Sequence, residues 1–97
     1  MAGDGVEVRR NDQEERYEIL LAGAVVGHLA TKERPNAVIL VHTETDDSVQ
    51  GRGLAARLVT ATLDDLRAKG QRVLVRCPYG REFIDEHPEY ADLEFDG

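Results

Sequence analysis

Over the first part of the chain, apolar and polar positions follow a period of two. Val6 to Asn11 alternates, with Val6 and Val8 on one side, as a half-buried strand does. Arg16 to Leu21 and Ala24 to Thr31 are two more strand-like runs, joined at Ala22-Gly23, a short hairpin signal. Lys32 to Asn36 contains Pro35-Asn36 and reads as a loop. Ala37 to Thr43 (AVILVHT) is β-branched and almost continuously apolar, which fits a central strand covered on both faces.

The period then changes. From Gly53 to Lys69, residues Leu54, Ala55, Leu58, Val59, Leu63 and Leu66 share one broad arc of a helix, while Arg57, Thr60, Asp64 and Arg67 lie opposite. Gly70 after Lys69 is a usual helix stop. Arg72 to Arg76 (RVLVR) reads as another buried strand ended by Pro78, and a short helix is expected from about Gly80 to Glu86, before His87-Pro88. Tyr90, Leu93 and Phe95 are expected to pack the tail onto the core. The order β-β-β-β-α-β-α predicts an α+β fold. Its sheet is mixed and mostly antiparallel, of about five strands, with a long helix between strands four and five and a short C-terminal helix. The first four strands suit a meander, and the fifth should return parallel to the fourth by a right-handed crossover.

At 97 residues the chain has room for one domain, 1–97, and none for separate cofactor and substrate domains. No apolar stretch approaches the ~20 residues of a membrane span. Met1 to Gly5 lacks the basic and apolar regions of a signal peptide. One cysteine, Cys77, forms no internal disulfide, so a cytoplasmic setting is the default. A net charge of −7 argues against a nucleic-acid partner. That charge is uneven: Gln50 to Arg76 holds six basic and two acidic residues, whereas Arg81 to Gly97 holds one basic and seven acidic. Either two surfaces are separately solvated, or a locally positive site for a small anion sits in an acidic protein. No His/Cys/Asp cluster has metal-ligand spacing.

The segment Ser48 to Ala56 (SVQGRGLAA) joins the apolar strand to the amphipathic helix. Backbone N–H groups at a helix start lack intrahelical partners, and with the helix dipole they suit phosphate oxygens. Gly51 and Gly53 let an anion approach the backbone, and Arg52 adds a guanidinium that can bind phosphate through two donors. The same glycines also fit a plain tight turn. Gly51-x-Gly53-x-x-Ala56 satisfies the dinucleotide fingerprint, but that fold places it near the start of a longer parallel sheet. A P-loop needs Gly-Lys-Ser/Thr, which is missing.

Gln50-x-x-Gly53-x-Ala55 matches the pyrophosphate motif of GNAT acetyltransferases, after the fourth strand and at the start of the long helix. His42-Thr43, Gln50-Gly51-Arg52-Gly53, Cys77-Pro78-Tyr79 and His87-Pro88-Glu89-Tyr90 follow one another in order. With these elements, the stretch from about Tyr17 to Leu93 resembles the minimal GNAT-fold N-acetyltransferase family. The resemblance implies acetyl-CoA as ligand, with its pyrophosphate on Gln50, Gly51, Arg52, Gly53, Leu54 and Ala55. It also implies that strands four and five splay, so that pantetheine pairs with the edge at Thr43 and Thr45. Pro78 and Tyr79 fall beside the cofactor in this reading. Tyr79 and Arg81 fit a solvated loop equally well.

Acetyl transfer to an amine needs a base for the amine, donors for the oxyanion and a proton for the leaving thiolate. The tyrosine of larger GNAT enzymes aligns with Ile84 here, and the strand-four glutamate of some members aligns with Ile39. Both usual players are therefore missing. Cys77, expected where the splay opens, is either an inert buried thiol or a participant, as transient acetyl acceptor or as proton donor. Arg76 and His42 are neighbours that would favour its thiolate. His42 is either a hydrogen-bonded structural residue or the general base. The function expected is acetyl-CoA-dependent acetylation of a primary amine on a small molecule or peptide. A cationic acceptor would suit the acidic C-terminal third. The alternatives are a non-catalytic CoA-binding module and a small interaction domain. No membrane partner is expected, and the chain is read as a monomer or weak dimer.

Overall fold

The computed structural model describes residues 5–95. Met1 to Asp4, on which the signal-peptide reading rests, lie outside the described residues, as do 96 and 97. The elements are β1 (Val6–Asn11), β2 (Arg16–Leu21), β3 (Ala24–Glu33), β4 (Val38–Thr45), a 3-10 turn (Asp47–Val49), α1 (Leu54–Ala68), β5 (Val73–Val75), α2 (Pro78–Glu86) and a 3-10 segment (Pro88–Leu93). The strands form one sheet in the order β1-β2-β3-β4-β5. The meander β1 to β4 is antiparallel, and β5 pairs parallel to β4.

β1 and β2 keep the bounds that alternation predicts. β3 runs to Glu33, into the segment read as loop, because its pairing with β4 continues to Glu33↔Val38. The Ala22-Gly23 turn takes φ of +51° and +85°, the paired left-handed conformation that matches the twist of a two-residue hairpin. α2 starts at Pro78, two positions before Gly80, because proline is pre-set for the first helical turn and the Cys77 side chain caps it. Neither 3-10 element follows from hydrophobic period.

α1, α2 and the C-terminal segment lie on the same sheet face. Leu29 and Thr43 are direct partners across β3 and β4, so they point the same way. Leu29 belongs to the core formed with Leu58, Leu63, Phe83, Ile84 and Leu93, and Thr43 touches Cys77 at the head of α2. Tyr17 Oη of β2 donates to Asp65 of α1 at 2.6 Å, Tyr90 Oη donates to Asp64 of α1 at 2.7 Å, and Phe95 N donates to the Val73 carbonyl at 2.8 Å where Glu94 bridges β5 along the sheet edge. Leu93 is in the core and Tyr90 packs against it, as expected, whereas Phe95 is half-buried outside that cluster.

The opposite face carries no helix among the described residues. It presents Arg9, Arg16, Glu18, His28, Ala30, His42 and Glu44. β4 thus departs from the expectation of a strand covered on both sides: Val38, Ile39 and Leu40 are buried, but Val41 and His42 are exposed. A β-bulge accounts for the change. β3–β4 pairing steps from Ala30↔His42 to Thr31↔Leu40, skipping Val41, and such an insertion bends a strand and increases its twist.

Candidate functional site

β4 and β5 stay paired over Val38↔Val73, Ile39↔Leu74 and Leu40↔Val75. There the Leu40 carbonyl accepts from both Arg76 N at 2.9 Å and Cys77 N at 3.1 Å. Beyond this point β4, bent by its bulge, continues along β3 to Thr45, while the chain after β5 turns into α2. The two strands splay. Asp46 N donates to Val26 of β3 at 2.8 Å, and alternate residues of a strand direct their peptide groups to opposite edges. Thr43 and Thr45 therefore direct theirs toward the edge that β5 has left. The Gln50 side-chain amide already donates to the Thr45 carbonyl at 3.3 Å and to the Thr45 hydroxyl at 3.1 Å.

The turn from Gln50 to Gly53 is exposed between two anchors, the buried side chains of Val49 and Leu54. Gly51 and Gly53 hold φ of +82° and +72°, and a Cβ at either would meet nothing within 4 Å. The backbone there is open to solvent. Gly53 heads α1 with no side-chain cap. The first intrahelical bond is Arg57 N to the Gly53 carbonyl at 3.2 Å, so the amides of Leu54, Ala55 and Ala56 have no helical acceptor. With the dipole of a 15-residue helix behind them, these amides present the positive end of α1 to solvent. The side chain of Leu54 is in the core, leaving only its backbone for a ligand. Arg52 and Arg76 have no carboxylate partner among the described residues.

Cys77 is 1% exposed. Its Sγ accepts from Gly80 N at 3.3 Å, capping α2, and lies 3.4 Å from Thr43 Oγ1. The absence of a side chain at Gly80 makes room for the sulfur. His42 does not join this pair. Successive strand residues point to opposite faces, so Thr43 faces Cys77 and His42 stands on the helix-free face. There His42 Nε2 is 3.2 Å from Glu44 Oε1, and its ring centroid is 6.2 Å from that of His28. The expected His42–Cys77 neighbourhood is therefore replaced by two pairs, one on each side of β4. Nothing in the sequence singles out Glu44, because only the i, i+2 geometry of an exposed strand brings its carboxylate to His42.

Pro78 opens α2, and Tyr79 is partly exposed on its first turn. Burial, with Glu82 and Glu86 nearby, pushes the Tyr79 hydroxyl above the usual tyrosine range, so it stays protonated. Arg81 pairs with Glu94 and Asp85, an engagement that a solvated-loop reading does not require. Ile84 is part of the core and Ile39 is buried.

The model of the GCN5-related N-acetyl-transferase family matches residues 16–93, and the chain belongs to that family. Protein NATD1 of Bos taurus is 41% identical over 57 residues, which are 59% of this chain and 50% of that protein. Protein NATD1 of Mus musculus is 29% identical over 96 residues, 95% of this chain and 86% of that protein. The chain thus spans about half the length of the bovine relative and most of the mouse one. A solution structure of a GCN5-like protein from Staphylococcus aureus superposes with a TM-score of 0.71 at 17% identity, covering 98% of this chain and 91% of that one. A ribosomal-protein-alanine N-acetyltransferase from Brucella melitensis gives 0.58 at 17% identity, over 84% and 65%. These two likenesses establish the fold.

Proposed function

We propose that the chain transfers an acetyl group from acetyl-CoA to the amine of an acceptor. One observation carries this reading: the uncapped, glycine-bared head of α1 stands at the end of the β4 edge that β5 vacates. These features fit the cofactor. A diphosphate needs backbone donors that no Cβ screens, and Gly51, Gly53 and the amides of Leu54 to Ala56 meet that need. Arg52 adds a cation with no carboxylate partner among the described residues. The amide-bearing arm of CoA needs an open strand edge, which Thr43 and Thr45 offer once the Gln50 side chain shares or releases the Thr45 carbonyl. When bound, acetyl-CoA supplies an acetyl group already activated as a thioester.

The chain's own residues divide the proton work between the two sides of β4. On the helix-free face, neutral His42 takes a proton from the incoming amine, and Glu44, 3.2 Å away, steadies the imidazolium that results. On the helix side, the Cys77 thiol, between Thr43 and the Gly80 amide, gives its own proton to the leaving sulfur; the thiolate regains a proton from solvent as the His42 imidazolium loses one to it, so turnover ends on the amide and the CoA thiol. Near-complete burial favours this role over that of acetyl acceptor, because an acetyl group must reach the sulfur itself whereas a proton can pass through the Thr43 hydroxyl 3.4 Å away.

A second reading, a CoA-binding module without turnover, draws on Ile84 and Ile39, which leave no tyrosine acid and no strand-four glutamate at the aligned positions. Release of free thiol from acetyl-CoA with a panel of primary amines, alongside calorimetric CoA binding, separates the two. Amine-dependent release that falls in both Cys77→Ala and His42→Gln supports the transferase. Binding without release supports the module.

A further inference from the structure

The helix-free face carries two polar rows across the sheet. One runs Arg9 (β1), Glu18 (β2), His28 (β3), Glu44 (β4), and the other runs Asn11, Arg16, Ala30, His42. Glu18 lies among its ion-pair partners. Its carboxylate accepts from Arg9 Nε at 3.0 Å, Arg16 Nε at 2.8 Å and Asn11 Nδ2 at 3.1 Å, and it is 2% exposed. Two guanidiniums thus share the one Glu18 carboxylate, so each keeps donors to spare for another acid. Among the ion pairs of the described residues elsewhere, no carboxylate is shared by two cations: Arg10 meets Asp12, Arg67 meets Asp92, Lys69 meets Asp65, and Arg81 meets two, Glu94 and Asp85.

Each of the two guanidiniums is fixed through Nε, and their terminal nitrogens make no hydrogen bond within the described residues. Arg9 remains 52% exposed and Arg16 30% exposed. Pinned forks of this kind are suited to a second carboxylate. At the other end of the strip stand His42 and Glu44, with a negative charge. Between Arg16 and His42 the facing residue is Ala30, whose methyl leaves a shallow floor. The span from β2 to β4 is two strand spacings, or about 10 Å. The strip therefore sets the two guanidiniums of Arg9 and Arg16 over β1–β2, with Glu18 between them and Glu7 one row further along β1, against the carboxylate of Glu44 over β4, with a low floor between.

We infer that the acceptor is an amine carrying a carboxylate several carbons away, bound across this strip with its amine at His42–Glu44 and its carboxylate on Arg9 and Arg16. The inference rests on the transferase reading above and narrows its substrate class. The charge pattern selects against plain amines and diamines, which lack the anionic end, and against short α-amino acids, which cannot span the strip. The acidic residues Asp85, Asp92 and Glu94 take no part, since they are engaged with Arg81 and Arg67.

The test compares 6-aminohexanoate with hexylamine, which differ at the carboxylate end. Thiol release from acetyl-CoA should give 6-aminohexanoate an advantage of about tenfold in kcat/KM, through KM, the size of one charge-assisted hydrogen-bonded contact. Arg9→Gln, which leaves Arg16 on Glu18, should bring that ratio toward one while CoA binding persists. Equal kcat/KM for the two amines, or a ratio that Arg9→Gln does not change, overturns the proposal. If no amine is acetylated, the transferase reading fails separately, and the arginine side-chain Nε–H resonances then decide. Movement of the Arg9 and Arg16 signals with 6-aminohexanoate but not hexylamine supports the carboxylate site, and no movement overturns it.

Discussion

The sulfur of Cys77 lies 3.4 Å from the hydroxyl of Thr43, across the point where β4 and β5 stop pairing. One residue heads a helix and the other sits near the end of a strand, so their contact closes the root of the splay. The same sulfur takes the Gly80 amide, which ties the cap of α2 to the candidate site. The space that permits this is narrow, and it can be measured.

A Cβ at Gly80 would stand 2.8 Å from Cys77 Sγ and 3.2 Å from Val75 Cγ1. Gly80→Ala should therefore destabilise the fold by about 1–3 kcal/mol, the usual cost of overpacking. Removing the sulfur should relieve part of it. A double-mutant cycle with Cys77→Ala in urea denaturation should show favourable coupling, whereas simple additivity would mean the two atoms do not conflict.

Arg52 is exposed on the glycine turn and has no carboxylate partner among the described residues. Arg52→Gln should leave the melting temperature unchanged and weaken CoA binding by about five- to tenfold, with a shallower salt dependence. Calorimetry at two ionic strengths checks both parts. Unaltered affinity would remove Arg52 from the diphosphate site.

Ala22 is held at φ +51°, a left-handed conformation that costs a side-chain-bearing residue about 1–2 kcal/mol. Asparagine tolerates that region far better and makes the preferred pair with Gly23. Ala22→Asn should raise stability by about 1 kcal/mol without touching CoA affinity. A fall in melting temperature would argue against the turn described.

Hydrogen bonds from Lys69 and then Tyr17 hold the Asp65 carboxyl below the usual range. Glu18 is also held low: burial alone would raise it, but donation from Arg16, Arg9 and Asn11 outweighs that. A carboxylate with a depressed folded pKa contributes stability that is complete above its unfolded value, about 4, and lost as pH falls toward the folded value. The melting temperature should be level above about pH 5 and drop steeply below about pH 4. Asp65→Asn should start lower at neutral pH and lose less on acidification. A parallel decline in both proteins would exclude Asp65 from the acid transition.

Much of this architecture is legible in local pattern. Alternation at Val6 and Val8 and the helical arc from Leu54 to Leu66 each report one buried face, and the run at Val38 to Leu40 reports burial on both, all of them properties of neighbouring residues. The glycine turn is legible for the same reason, since Gly51 and Gly53 need only their own backbone conformation. The splay is different. Val41 belongs to an apolar run that reads as straight strand, and only its mismatch with Ala30 and Thr31 makes a bulge. The separation of His42 from Cys77 follows from strand alternation once Thr43 is known to face the sulfur, a contact between residues 34 apart. Glu18 with Arg9 and Arg16 escaped notice because three charged residues on two strands look like ordinary solvated positions until the register sets them side by side.

The central claim concerns where CoA sits, and a 1H–15N NMR titration of the protein with CoA tests it most directly. The account predicts saturable shifts in the backbone amides from Gln50 to Ala56 and at Thr43 and Thr45, with β1 and β2 left in place. Shifts centred on any other surface, or none at roughly millimolar CoA, a concentration at which even a weak site would fill, would contradict it.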